Sequence, residues 1–428
     1  MKKLLLVITI LLVLTLAFTA CGNPTTENVG DTTDSTEVIG DAKTIVYWSM
    51  WESTEKQGQV IQQAADAYMA ATGNIVDLQF KGRTGIREGL QPALDGGMVI
   101  DMFDEDIDRV NLTWGNYLYD LEALVAESDY EATGNAALIG SCRDTAGGTL
   151  KSIPYQPFLF AVAYNKDILT EAGVTSLPKT WDEFLVICEK VKAAGYIPLT
   201  SDDAYMDAWF GYALARFVGA DGVEGIVVNG KWTEEPAVLE MAKQYEELAF
   251  LGYISPNIAT NVWPSGQNGE LALGEAAMYL NGTWLPNEVR DIAGEDFNWG
   301  WFNYPAVPNG VDGIEAANFG SQVLAINKDS EVAEEAFELI KYITQGEFDA
   351  LLAKESMGIP VDSSNTEWPV QLLEAKPVFD SLSTRYPWAA NAGANVDITP
   401  IVKEYFIKLC AGQITAQEFV DALENASN

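Results

Sequence analysis

Hydrophobic and polar positions along residues 44–103 change their period several times, and each change predicts a new element. β-branched and alternating apolar residues indicate strands, whereas apolar residues confined to one helical face, followed by Gly73, indicate a helix and its end. The predicted elements are a strand over 44–48, a helix over 55–72, a strand over 75–80, a helix over 86–94 and a strand over 99–103. This order favours an α/β fold with a mostly parallel sheet and helices on its faces.

The later chain continues in the same way. Thr180 and Thr415 each precede a Glu by three residues, which is the spacing of a capping box, and Thr399 is placed to cap a helix with Pro400 in its first turn. Residues 159–164 form a continuous apolar run, which predicts a fully buried central strand. This strand is the predicted crossing point between two halves of the molecule.

The first 43 residues differ from the rest in composition. Residues 1–20 combine Lys2 and Lys3 with a short apolar stretch and small residues, which is the pattern of a secretory signal. Cys21 follows directly and resembles the cysteine of a bacterial lipobox, so we expect lipidation at Cys21. Residues 21–43 then predict a flexible linker, and the mature chain is expected outside the cytoplasm, anchored to the cell membrane.

Composition and charge exclude several kinds of function. The 428 residues contain no histidine, which rules out histidine-dependent catalytic triads and histidine-ligated metals. The formal net charge of −37 opposes binding to nucleic acid, and the four cysteines have no paired spacing that would predict a metal site. No phosphate-binding or nucleophile-elbow motif occurs, so no cofactor is expected.

Six segments resemble the carbohydrate branch of the bacterial extracellular solute-binding proteins of ABC importers, which includes maltose-binding protein. They are IVYWSMW (45–51), LDGGMVIDMF (94–103), YNKDILTEAG (164–173), PKTWDEF (178–184), GEAAMYLNGTW (274–284) and GQITAQEFVDAL (412–423). The resemblance implies a two-lobed periplasmic-binding-protein fold of type II with the ligand in a cleft between the lobes. It implies an N-terminal lobe of 44–158 plus 318–362 and a C-terminal lobe of 159–317 plus 363–428.

The resemblance also implies a function without catalysis. A monomeric receptor would capture a mono- or oligosaccharide, close by a hinge and deliver the sugar to permease subunits. Sugars have apolar C–H faces and a rim of hydroxyl groups, so a sugar site needs aromatic plates beside carboxylates and amides.

Position and residue type select the candidate ligand-binding residues. They are Trp48, Trp51, Glu52, Arg83, Asp104, Asp106, Tyr155, Gln156, Asp203, Tyr205, Trp209, Trp263, Asn281, Trp284, Trp388 and Asp397. Trp284, after the N-G-x segment, is the strongest of these predictions, whereas Trp181 follows a helix cap and is expected to be structural.

Two alternatives remain open at this point. An exported carbohydrate hydrolase would use one pair among the 62 acidic residues as acid and base. The same fold could also bind a solute that is not a sugar.

Overall fold

The computed structural model describes residues 42–427, so the predicted signal, Cys21 and nearly all of the predicted linker lie outside the described residues. Strands occur throughout this part of the chain. They are β1 (Thr44–Ser49), β2 (Ile75–Phe80), β3 (Met102–Asp106), β4 (Ile153–Asn165), β5 (Ile197–Thr200), β6 (Ala276–Gly282), β7 (Trp299–Phe302), β8 (Ala316–Ile326) and β9 (Thr384–Tyr386).

Helices fill most of the connections between these strands. They are α1 (Lys56–Thr72), α2 (Gly82–Asp95), α3 (Glu122–Ala126), α4 (Tyr130–Thr133), α5 (Ala136–Thr145), α6 (Lys166–Glu171), α7 (Trp181–Ala193), α8 (Met206–Asn229), α9 (Pro236–Phe250), α10 (Ser265–Ala272), α11 (Leu285–Glu288), α12 (Arg290–Ala293), α13 (Ala333–Thr344), α14 (Gly346–Ser356), α15 (Ala375–Asp380), α16 (Thr399–Cys410) and α17 (Ala416–Ser427).

The strands form a sheet in the order β2-β1-β3-β8-β4-β6-β5, with β7 beside β4 and β9 beside β8. Strands β1, β2 and β3 are parallel, as are β5 and β6, whereas β4 and β8 run antiparallel to each other. The first half of β4 pairs with β8 and its second half pairs with β6 and β7. The sheet is therefore mixed, and β4 passes from one half of the molecule to the other.

Two hydrophobic clusters flank this crossing. The first core contains buried residues from 45–155 and 323–352. The second core contains buried residues from 159–317 and 359–423. The lobe boundaries given above remain a prediction, but the apolar interior itself is divided where β4 crosses.

Most of the predicted elements are observed. The helix before Gly73, the strand over 75–80 and both capping boxes are present, and Gly73 adopts a left-handed conformation with φ 76°. Two predictions about boundaries are wrong. The strand expected over 99–103 is β3, which begins at Met102 and extends through three acidic residues. Thr399 does not cap α16 with its side chain; it is the first residue of that helix.

Among residues 42–427, the structure contains no helix that is both long enough and apolar enough to cross a membrane.

Candidate functional site

Three candidate residues of the first core form one hydrogen-bonded cluster. The indole Nε1 of Trp51 donates to the Tyr155 hydroxyl at 2.7 Å, and that hydroxyl donates to Asp104 Oδ2. Trp51 follows β1, Asp104 lies in β3 and Tyr155 lies in β4, so the sheet brings together residues that are far apart in sequence. Trp51 and Tyr155 are both buried, which fixes the Trp51 ring where β4 begins its crossing.

The Asp104 carboxylate is fully buried, and donors of the chain surround it. Its Oδ1 accepts the Met50 N–H at 2.6 Å, and Oδ2 also accepts the hydroxyl groups of Tyr47 and Ser49. Burial raises the pKa of Asp104 to about 6, and these hydrogen bonds oppose the rise. Asp104 therefore positions Tyr155 and the turn after β1, and the predicted direct contact with ligand remains untested.

Arg83 lies above the Trp51 ring, with its guanidinium carbon 4.7 Å from the ring centroid. The guanidinium also pairs with Glu55 at 2.9 Å and keeps 41% of its side-chain area exposed. Glu52 is exposed, and its carboxylate packs closely against Gly82 at the start of α2. A Cβ added to Gly82 would lie only 2.1 Å from Glu52 Oε1. Arg83 and Glu52 thus present a cation and a carboxylate on one side of the site, and the buried Trp51 ring supports Arg83 from below.

Five aromatic rings pack together around Trp284, and we call them the Trp284 cluster. Trp284 contacts Phe158, Phe160, Tyr205 and Trp388 at centroid distances of 5.6, 5.9, 6.3 and 6.5 Å. Its Nε1 donates to the Tyr205 hydroxyl at 3.2 Å. An added Cβ on Gly282 would lie 2.2 Å from the Trp284 ring, which explains the glycine two residues earlier.

Trp388 is exposed, and an unusual backbone follows it. Ala389, Ala390 and Asn391 have φ angles of 50°, 48° and 63°. This left-handed region is unfavourable for residues other than glycine, so surrounding contacts must hold the segment in place. One such contact is with α8, where an added Cβ on Gly211 would lie 1.7 Å from the Ala389 carbonyl oxygen.

Glu288 brings a carboxylate next to the Trp284 cluster. Its Oε2 accepts a hydrogen bond from Asn268 Nδ2 at 3.3 Å, and the nearby Trp263 side chain also lowers its pKa. Glu288 is exposed as a whole residue, but groups packed around its carboxyl desolvate it and raise its pKa to about 7, whereas Arg83 lowers this pKa through space. The Arg83 charge also acts on the Tyr205 hydroxyl, so Arg83 beside the first core lies within electrostatic range of Glu288 and Tyr205 beside the second. We call the region between them the inter-core site.

Asp106 lies at the end of β3, near the crossing strands. Its Oδ1 accepts the Asp108 N–H at 2.9 Å, while Asp108 forms a two-pronged ion pair with Arg385. Burial, followed by repulsion from Asp108 and Glu105, raises the pKa of Asp106 to about 7. Asp106 is therefore poised between its charged and neutral forms near neutral pH.

Three further candidates contact the chain at particular atoms. Gln156 forms a bulge in β4 with φ 44°, and its Nε2 donates to Ser356 Oγ at 2.8 Å. Asn281 is fully buried, its Oδ1 accepts the Gly282 N–H, and its Nδ2 has no partner among the described residues. Asp203 is exposed and accepts the Trp263 N–H at 3.0 Å.

The structure does not bring every candidate to the inter-core site. Trp48 is 7% exposed beneath Lys81, and Trp209 is 1% exposed with its Nε1 donating to the Leu280 carbonyl at 2.9 Å, so both pack in the cores. Asp397 is exposed shortly before α16, where its N–H donates to Asn395. Their predicted ligand contacts have no support from these positions.

Sequence analysis missed Phe158, Phe160 and Glu288. Phe160 belongs to the apolar run 159–164 and Phe158 directly precedes it, so both are expected to be buried, and nothing there distinguishes a cluster residue from a core residue. Glu288 follows Trp284 by four residues, a spacing that places two side chains on one helical face. That spacing was an available signal. Within residues 42–427, no group of three or more Cys, Asp or Glu side chains is arranged to hold a metal ion.

Two cores joined by crossing strands, with aromatic and charged side chains between them, form the kind of site in which proteins bind small molecules. The profile of the bacterial extracellular solute-binding proteins matches residues 51–347, and the chain belongs to this family.

Curated relatives agree with this membership at low identity. A putative binding protein of Brucella abortus is 23% identical over 51% of this chain and 53% of its own length, so the match spans about half of each. A probable ABC transporter-binding protein of Deinococcus radiodurans is 25% identical over 75% of this chain and 77% of its own. The diacetylchitobiose binding protein DasA of Streptomyces coelicolor is 24% identical over 90% of this chain and 86% of its own length.

Solved structures share the fold across almost the whole chain. A chitin oligosaccharide binding protein superposes with a TM-score of 0.71 at 20% identity, covering 91% of this chain and 98% of its own. The solute-binding protein RafE in complex with raffinose gives a TM-score of 0.69 at 17% identity, and the match covers 90% of this chain and 98% of RafE.

Proposed function

We propose that this protein is the substrate-binding component of a carbohydrate ABC importer and that it binds a mono- or oligosaccharide at the inter-core site. The observation that carries the proposal is the Trp284 cluster, which faces Arg83 across the two cores with Glu288 beside it. Aromatic rings suit the C–H faces of a sugar ring, and the charged side chains suit its hydroxyl groups. No catalytic step and no cofactor belong to this proposal.

The relatives support a sugar as the solute. One curated relative is a diacetylchitobiose binding protein, and two proteins with this fold are a chitin oligosaccharide binding protein and a raffinose complex. The Deinococcus relative supports a role with an ABC transporter. These ligands belong to the relatives, and the particular sugar that this chain binds is for experiment to identify.

The proposed cycle depends on movement about the crossing strands. The predicted lobes, 44–158 with 318–362 and 159–317 with 363–428, would close around the sugar and present a surface to the permease. A ligand shifts such an equilibrium only by binding the closed state more tightly than the open state. Lipidation at Cys21 would keep this monomeric receptor at the outer face of the cell membrane, next to its transporter.

A thermal-shift screen of mono- and oligosaccharides tests the proposal. A sugar present at one hundred times its dissociation constant should stabilise the protein by about 2.7 kcal/mol, because it binds only the folded state. If no sugar in a broad panel raises the melting temperature, the carbohydrate proposal is wrong. Chromatography of the same mixtures after incubation tests the absence of catalysis, since shorter products would indicate a hydrolase.

A further inference from the structure

Arg290 connects the second core to a helix of the first core. Its Nη2 donates to the carbonyl oxygen of Glu355 at 2.6 Å. Arg290 begins α12, and its neighbours Leu285 and Val289 are fully buried in the second core. Glu355 lies in the last turn of α14, whose Leu352 is buried in the first core. This hydrogen bond is therefore a contact between the cores outside the crossing strands.

The end of α14 is well suited to receive a cation. The last carbonyl groups of a helix lack partners within the helix and carry the negative end of its dipole. Met357, directly after the last residue of α14, adopts a left-handed conformation with φ 51°. Gln156 of the crossing strand donates a hydrogen bond to the hydroxyl group of Ser356, the last residue of the helix. The Glu355 carboxylate lies 3.6 Å from Lys56 of α1, which holds this end of α14 against the first core.

The segment that contains Arg290 also contributes to the inter-core site. Trp284 lies in the aromatic cluster, Glu288 faces Arg83, and Arg290 follows Glu288 by two residues. The intervening backbone is short and hydrogen-bonded, with the N–H of Val289 donating to the Leu285 carbonyl at 3.1 Å. A shift of Trp284 or Glu288 on ligand binding would thus be transmitted to Arg290 over a few residues.

We propose that Arg290 is a positioning residue that holds the two cores together whenever they are closed, with or without sugar in the inter-core site. This inference rests on the proposed function, because it assigns a closing contact to the same site. Arg290 touches the end of α14 and not the sugar, so its effect is on how long the closed state lasts. Sugar in the site and the Arg290 hydrogen bond to the end of α14 then both favour the closed state.

Sugar-binding kinetics of Arg290→Gln and Arg290→Lys test this role. Arg290→Gln should raise the dissociation rate constant roughly tenfold and change the association rate constant far less, because the hydrogen bond that it removes stabilises only the closed state. Arg290→Lys keeps the charge and should recover part of the loss. Arg143→Gln is the matched control, since Arg143 pairs with Glu122 and Glu131 within the first core and its loss should change neither rate.

Small-angle X-ray scattering of the sugar-free wild type and Arg290→Gln tests the Arg290 contact independently of sugar binding. Arg290→Gln should have a larger radius of gyration than the wild type, with unchanged circular dichroism, because the cores separate more often. If no sugar binds the wild type, the proposed function fails, and the scattering comparison alone decides the role of Arg290. Equal radii overturn the proposal, as do equal dissociation rate constants in the wild type and Arg290→Gln.

Discussion

Trp284 and Trp209 show how one residue type takes two roles in the second core. Trp284 is half-buried among four other rings, whereas Trp209 is almost fully buried and its indole N–H is occupied by a backbone carbonyl. Both were candidates on sequence, because position and residue type placed both among the side chains expected to contact the ligand. Only the exposure and the partners separate them, and these depend on tertiary contacts that a local pattern does not contain.

We expect Trp284→Ala to reduce sugar affinity by more than about tenfold, because a stacking surface is lost from the site. Trp209→Phe should instead lower the free energy of unfolding by about 1–3 kcal/mol, because a buried hydrogen bond and indole volume are lost. Isothermal titration and chemical denaturation of both variants measure the two effects. Unchanged affinity in Trp284→Ala would remove that residue from the site.

Asp106 makes stability depend on pH. Its pKa rises from 3.8 to about 7 on folding, so the folded state binds the proton more tightly than the unfolded state. This contribution to stability is fully present below about pH 4 and is lost as the pH rises towards the pKa in the folded protein. Asp106→Asn removes the ionisation and keeps an oxygen that can accept the Asp108 N–H.

Between pH 4 and pH 8, the wild type should therefore lose about 4 kcal/mol of unfolding free energy relative to Asp106→Asn, because the pKa rises by about three units at about 1.4 kcal/mol each. Urea denaturation across this range measures the difference between the two curves. Parallel curves would show that Asp106 titrates near its ordinary pKa.

At the scale of elements, the strained segment after Trp388 depends on a glycine of another element. Gly211→Ala in α8 should displace Ala389, because the new Cβ would overlap its carbonyl oxygen. We expect a loss of about 1–3 kcal/mol in unfolding free energy, together with weaker sugar binding as Trp388 moves.

Gly225→Ala provides the control, in the part of α8 that follows a break in the helix at Gly219. Nothing lies within 4 Å of an added Cβ there, so the substitution should stabilise the helix by about 0.5–1 kcal/mol. Denaturation of both variants and titration with the sugar are the measurements. A neutral Gly211→Ala would show that the segment after Trp388 adjusts freely.

The sequence predicts elements well where one local rule decides them. The capping boxes and the helix end at Gly73 are correct because a few adjacent residues determine each. Strand β3 is shifted because Asp104 and Glu105 are poor strand residues whose burial needs partners from elsewhere in the sequence. Tyr47 and Tyr155 donate to Asp104, and Arg87 donates to Glu105 at 2.8 Å. The sequence of β3 alone does not indicate that these donors are present.

At the scale of the whole molecule, acidic residues outnumber basic residues by 62 to 25. Ion pairs between exposed side chains contribute little each, so the excess negative charge dominates long-range electrostatics. Added salt screens this self-repulsion, and we expect the melting temperature to rise by about 3 °C between 10 mM and 500 mM sodium chloride. A calorimetric scan measures it, and a fall would mean that the ion pairs outweigh the repulsion.

The position of β8 between β3 and β4 has a consequence for the order in which the chain can fold. Strand β8 begins about two hundred residues after β3 ends, yet it pairs with β3 along five residues. While the chain is being made, β1, β2 and β3 leave the ribosome long before the strand that completes their sheet. The first core, although it comes first in the sequence, is finished only after most of the second has been synthesised, and such distant pairing slows folding.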